Sequence, residues 1–338
     1  MKKILLLATL LTAPSLCLAA TQLNGAGATF PFPLYSKWFD EYRKVKPEVT
    51  VNYNSIGSGG GIKALLEGTV DFGASDAPMN EEEMKKSKSP VVHVPTVLGA
   101  VVLSYNLPSL TKPLNLSGEV IAEIFLGKIT KWNDAKISDL NKGVQLPETD
   151  ILVAYRSDGS GTTSIFTDYL SKVSAEWKST VGAAASVEWP VGVGAKGNDG
   201  VAGNVGQTKN SIGYVEYAYA KQNKLTHVDL MNKAGKHVSP TIAAFQAAAA
   251  NADWAKAEGY YVILTDQAGD QSWPLTAATF ILMHAEPQDK AATTEALKFF
   301  GWAFAKGDKM AEELDYIPMP DSVVKLIEAT WAKDIKNK

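Results

Sequence analysis

Apolar positions along this chain follow two alternating patterns: short unbroken runs, and stretches in which large apolar residues recur every three or four positions. The runs predict strands at 49–53, 69–76, 151–155, 211–220, 260–265 and 279–284, and a longer valine-rich stretch, 91–107, predicts strands buried near the middle of the molecule. The periodic stretches predict helices. One carries Leu34, Tyr35, Trp38, Phe39 and Tyr42, a second Ile62, Leu65 and Leu66, and a third Val120, Ile121, Ile124 and Phe125, with Ser117 as its cap and Gly127 as its stop. An alanine-rich helix follows at 241–251, and helices at 290–305 and from 322 onward complete the chain. Strands alternating with helices in this way describe an α/β protein.

The ends and the length refine that picture. Lys2 and Lys3, the apolar run 4–11 and the Ala19-Ala20 exit read as a secretion signal over residues 1–20, too short to span a membrane. Its removal takes away Cys17, the one cysteine, so no disulfide framework is expected. About 318 of the 338 residues remain, 46% of the full sequence being apolar, and chains beyond roughly 250 to 300 residues tend to divide into two domains. The expected division is 21–103 with 278–338 as one lobe and 104–277 as the other. Loss of the two lysines moves the formal charge from −3 to −5, which argues against nucleic acid and anionic membranes as partners.

The candidate chemistry lies in small-residue loops that open helices. Arg156-Ser157-Asp158-Gly159-Ser160-Gly161-Thr162-Thr163 follows a strand and precedes a helix. Such a turn exposes backbone N–H groups at the positive end of the helix dipole, and Ser160, Thr162 and Thr163 add hydroxyl donors. Only Arg43 and Arg156 are arginines among 33 basic residues, which marks Arg156 as chosen for the planar fork that grips a tetrahedral oxyanion. The alternative is a helix cap with a surface ion pair from Arg156 to Asp158. Thr29 stands at the mouth of a second such loop and Ser58 in a third, while Ser75 and Asp76 end a strand. Asp76 is either a site residue or the cap of the acidic helix near Glu81. The run 192–197 formally fits Gly-x-Gly-x-x-Gly, but it lacks the acidic residue of a dinucleotide site and reads as a structural loop.

Catalytic signatures are missing from the sequence. His93, His227, His237 and His284 are isolated from one another and from carboxylates at ligand spacing, so no metal or other cofactor is expected. His284, in an apolar run, reads as a satisfied core histidine. No Gly-x-Ser-x-Gly elbow surrounds Ser58 or Ser160, and no cysteine nucleophile survives removal of the signal. The loops at Thr29, Ser58, Asp76 and 156–162 all sit where strands end or helices begin, where open α/β sheets and two-lobed proteins place ligands. Converged, they would ring one small anion with donors. Asp76 then repels any anion that has no proton to give, which would select phosphate over sulfate.

Gly25-Ala26-Gly27-Ala28-Thr29-Phe30-Pro31, Ile56-Gly57-Ser58, Asp71-Phe72-Gly73-Ala74-Ser75-Asp76, the 124–133 segment Ile-Phe-Leu-Gly-Lys-Ile-Thr-Lys-Trp-Asn, and 156–163 together resemble the successive motifs of periplasmic phosphate-binding proteins of the high-affinity phosphate ABC transporter. The likeness runs from about Leu23 to Pro320. It implies a monomeric two-lobed periplasmic binding protein fold, each lobe a mixed sheet flanked by helices, closing over inorganic phosphate in the interlobe cleft and delivering it to permease subunits in the inner membrane. By similarity, Thr29, Ser58, Ser160 and Thr162 would offer hydroxyls, Phe30 and Gly161 backbone N–H groups, and Arg156 its guanidinium, oriented by Asp158, while Asp76 would accept the phosphate proton. Where this chain has Gly59, members often carry a second serine. The resemblance implies binding without catalysis; a secreted phosphatase and a sulfate or molybdate receptor are the competing readings.

Overall fold

Strand β4, Val91–Tyr105, runs through the middle of the molecule with nearly every side chain buried, as expected of a valine-rich strand covered on both faces. The computed structural model describes residues 21–337 apart from 111 and 251; the expected secretion signal, with Cys17, lies outside the described residues. Before β4 come β1 (Thr21–Gly27), β2 (Val49–Ser55) and β3 (Phe72–Ser75). After it come β5 (Asn115–Leu116), β6 (Leu152–Arg156), β7 (Val193–Ala195), β8 (Ser211–Glu216), β9 (Thr226–His227), β10 (Asp229–Met231), β11 (His237–Val238), β12 (Thr276–His284) and β13 (Ile317–Pro318). The main sheet is ordered β2-β1-β3-β12-β4-β8-β6-β7, with β13 and β9 also pairing β4, and β11-β10-β5 form a small separate sheet.

The fold is a two-lobed α/β arrangement. β1 is parallel to β2 and β3, β12 is antiparallel to both β3 and β4, and on the other side β6 is parallel to β7 and β8. The partners of β4 change abruptly: Val91 to Ala100 pair with β12, and Val101 to Tyr105 pair with β8. One strand thus belongs to both lobes.

Each lobe has its own aromatic packing. The helix Phe32–Val45 turns Tyr35, Trp38 and Tyr42 inward, and Tyr35 meets Phe300 while Tyr42 meets Phe299 and Trp302 of the helix Lys290–Lys306. In the other lobe Phe166, Tyr214 and Trp189 stack in turn, and Phe125 meets Phe166 edge-on and Trp189 at a tilt. Each such side chain contributes about 1.5–3 kcal/mol through burial. Gly27 shows why the first loop needs glycine: its φ is +144°, and a Cβ there would stand 2.0 Å from the Ala74 carbonyl oxygen.

Two expected strands take other forms. Residues 211–220 split, since β8 stops at Glu216 and the helix Tyr217–Gln222 begins, with the Glu216 carboxyl accepting from Ala218 N at 2.9 Å as its cap. Residues 260–265 form no strand beyond one bridge from Thr265 to Leu275, because Gly259 and Tyr260 both adopt positive φ and turn the chain. The acidic helix Glu81–Lys86 is capped by Asn80, not Asp76. His284 is partnered on both ring nitrogens, by Leu65 O and Ser89 Oγ.

Candidate anion site

The parallel strands of both lobes end at the same place. β1 leads to Thr29 and Phe30, β2 to Ser58, β3 to Asp76, β6 to Arg156 and β7 to Asn198. The helices Phe32–Val45, Ser58–Glu67, Gly161–Val173 and Gly197–Gln207 start there, so their N-terminal dipole ends gather around one point. This is the carboxyl-end crevice that open α/β sheets use for ligands. The glycine run at 192–200 is not a detached loop: it is the junction of β7 with one of these helices.

Two hydrogen-bonded chains tie the predicted residues together. In the first, Arg156 holds Asp158 in a fork, Nε to Oδ1 at 2.8 Å and Nη2 to Oδ2 at 2.6 Å, while Nη1 reaches Thr162 Oγ1 at 3.3 Å. Gly197 N also donates to Asp158 Oδ1. Asn198 Nδ2 then bridges Thr162 Oγ1 at 3.1 Å and Thr29 Oγ1 at 2.7 Å, joining one lobe to the other. In the second, Ser58 Oγ accepts from Gly161 N at 3.0 Å and from Asp76 N at 3.2 Å, and donates to Asp76 Oδ2 at 3.4 Å. Ser160 caps the helix Gly161–Val173 by accepting from Thr163 N.

All of these residues except Asp158 are buried, and Asp158 is nearly so. The Arg156–Asp158 pair is therefore an interior fork rather than a surface bridge, and Arg156 is the last residue of β6 rather than part of the turn that follows. The lobes meet closely enough that Gly59 N donates to Gly159 O at 2.9 Å. A Cβ on Gly161 would fall 2.5 Å from Asp76 Cβ and 2.7 Å from Ser58 Oγ.

Charge is balanced locally. Burial raises the Asp158 carboxyl, but the bonds and charge of Arg156 outweigh it and hold the group below its usual range. Burial pushes the Asp76 carboxyl up to about 7, against the Thr279 hydroxyl bond, the charge of Arg156 and the Ser58 bond. Asp76 thus accepts from Thr279 on one carboxyl oxygen and from Ser58 on the other. No group of His, Cys, Asp or Glu that could hold a metal ion occurs among the described residues.

Sequence reasoning missed several members of the cluster. Thr279, inside β12, donates to Asp76 Oδ1 at 2.8 Å. Asn198, Glu216, Tyr219 and Tyr316 are also buried here. The one local signal was polarity: a buried strand or helix start that spends a position on threonine, asparagine or glutamate must satisfy it.

Comparison with known proteins fits this architecture. A sequence profile of the PBP superfamily domain matches residues 18–306. The chain is 51% identical over 337 residues to a phosphate-binding protein PstS of Pasteurella multocida, covering 99% of this chain and 97% of that one. It is 50% identical to a phosphate-binding protein PstS of Haemophilus influenzae, covering 94% of each. Among solved structures, a phosphate binding protein from Stenotrophomonas maltophilia superposes with a TM-score of 0.71 at 20% identity, covering 94% of this chain and 97% of that one. A full-length match at half identity places this chain in the PstS family of the PBP superfamily.

Proposed function

We propose that this protein is a periplasmic receptor that captures inorganic phosphate between its lobes, as a monomer, and hands it unchanged to the permease subunits of an ABC importer. The observation that carries the reading is the pairing of one buried acceptor, Asp76, with an otherwise donor-rich cage containing Arg156. In this reading Thr29, Ser58, Ser160 and Thr162 bind through hydroxyls, Phe30 and Gly161 through backbone N–H groups, and Arg156 through its guanidinium. Asp158 holds the guanidinium in plane and moderates its charge. Asp76 takes the hydrogen bond from the phosphate O–H. Sulfate at the same place would set two acceptors against each other with no proton between them, and such a mismatch costs up to about 10⁴ to 10⁵ in selectivity.

The lobes we assign are 21–103 with 278–338, and 104–277. The exchange of β4 partners between Ala100 and Val101, three residues before the assigned boundary, supports a crossing within this strand. The energetics are sufficient: a micromolar constant corresponds to about −8 kcal/mol, and hydrogen bonds to charged groups contribute about 1.5 to 3 kcal/mol each before association costs. Isothermal titration with phosphate and with sulfate tests the reading. Phosphate should bind and sulfate should not; comparable sulfate affinity would remove the role given to Asp76.

A further inference from the structure

Glu216 has no part in the anion cage, yet it is wholly buried beside it. It pairs in register with Val101, at the point where β4 passes from one lobe to the other. Its Oε2 accepts from Ala218 N at 2.9 Å and lies 3.0 Å from the Tyr316 hydroxyl, whereas Oε1 has no hydrogen-bond partner. The Tyr316 hydroxyl also lies 2.6 Å from Phe30 O. Tyr316 precedes β13 and Phe30 follows β1, both in the first lobe; Glu216 ends β8 in the second.

Counting protons assigns the directions. A phenol has one hydrogen, and here it faces two oxygens. A backbone carbonyl can only accept, and Phe30 O is the nearer, so the phenol hydrogen goes there. The contact between Tyr316 and Glu216 then needs a hydrogen from Glu216. A carboxylate would place two acceptors against one proton and leave a charged oxygen buried without a partner, which is costly. The groups facing Glu216 are the hydroxyl of Tyr316, the backbone donors of Ala218 and Tyr219, and the more distant Asp76; none is a cation, and burial moves its carboxyl well above the usual range.

A second tyrosine acts on the adjoining peptide. Tyr219 OH donates to Thr29 O at 2.7 Å. In a planar trans peptide the C=O and the following N–H point in opposite directions, so holding the Thr29 carbonyl from the second lobe aims the Phe30 N–H away from Tyr219. Tyr219 and Tyr316 together fix two consecutive carbonyls of the turn that Thr29 and Phe30 form.

We propose that Glu216 is a positioning residue for anion capture: as a hydrogen donor to Tyr316 it completes a relay, Glu216 to Tyr316 to Phe30 carbonyl, that spans the lobes and, with Tyr219, fixes the Phe30 backbone. The proposal rests on the phosphate reading above for its kinetic readout. The relay contains no ligand atom and joins residues of both lobes, so under this proposal it slows release and leaves capture alone.

The test is stopped-flow phosphate association and dissociation at neutral pH for the wild type, Glu216→Gln, Tyr316→Phe and the double variant, with infrared spectra of each. An amide cannot both donate to Tyr316 and accept from Ala218 at one atom, so Glu216→Gln breaks the relay. Each single variant should release phosphate about 5- to 20-fold faster, the loss expected for one hydrogen bond, with association within about twofold. The double variant should be no worse than the worse single one, as members of one relay do not add. In infrared difference spectra against the wild type, Glu216→Gln should remove an un-ionised carboxylic acid C=O band that Asp76→Asn leaves in place. Unchanged release in Tyr316→Phe, or a spectrum in which Glu216→Gln removes no such band, overturns the proposal. If Glu216→Gln does not fold, Tyr316→Phe alone decides the kinetic arm. A wild type that binds no phosphate refutes the phosphate reading instead, and the infrared comparison still decides the state of Glu216.

Discussion

Thr279 donates its hydroxyl to Asp76 Oδ1 across 2.8 Å, joining residues 203 positions apart in the chain. Ser58 reaches the other oxygen of the same carboxyl at 3.4 Å. With a donor on each side, Asp76 is fixed in orientation as well as in place, as the acceptor role proposed for it requires.

Asp76→Asn should narrow the preference for phosphate over sulfate by at least about tenfold, because an amide can donate as well as accept. Titration calorimetry with both anions measures the ratio. An unaltered ratio would move discrimination to another residue.

The same carboxyl sets a pH dependence. Burial raises it from 3.8 to about 7, so the folded chain holds this proton more tightly than the unfolded one. Its contribution to stability is complete below about pH 4 and is lost as pH rises through 7. Without added anion, the melting temperature of the wild type relative to Asp76→Asn should therefore fall across that window. A difference that stays flat from pH 4 to 8 would contradict the placement of Asp76.

Arg156→Ala should abolish measurable phosphate binding and also destabilise the fold by about 3 kcal/mol, since it strands the nearly buried Asp158. Combining it with Asp158→Ala should restore much of the stability and none of the binding. Urea unfolding and titration separate the two effects; recovery of binding in the double variant would contradict the role of Arg156.

Gly161→Ala would put a methyl group into Asp76 and Ser58 from the opposite lobe. Phosphate affinity should drop at least about tenfold while each lobe keeps its packing, because the added carbon meets the other lobe rather than its own core. Small-angle scattering with saturating phosphate should show a more open molecule than the wild type. Wild-type affinity would mean the lobes do not approach here.

The parts of the site that were legible in the sequence are those whose chemistry is local. Arg156, Ser160 and Thr162 announce themselves because glycine, hydroxyls and a rare arginine crowd one strand-to-helix turn. Thr279 and Asn198 do not, because a mid-strand threonine finds its partner only once β12 is known to lie beside β3. The fold shows the same divide. β4 and β12 are apolar enough to be unmistakable, whereas 211–220 reads as one strand because Val215, Tyr217 and Tyr219 continue the apolar run across Glu216. Nothing in that run reveals that Glu216 is a buried cap that starts a helix. By sequence Arg156 opens the glycine-rich turn, yet it ends β6: its backbone N–H bonds Tyr214 OH and its side chain is interior.

Because β4 supplies backbone pairing to both lobes, neither can be excised as an autonomous unit. Cutting within it would leave β12 and β8 each with a bare, apolar edge, and bare edges recruit other chains. Fragments of this protein should therefore aggregate more readily than the intact chain.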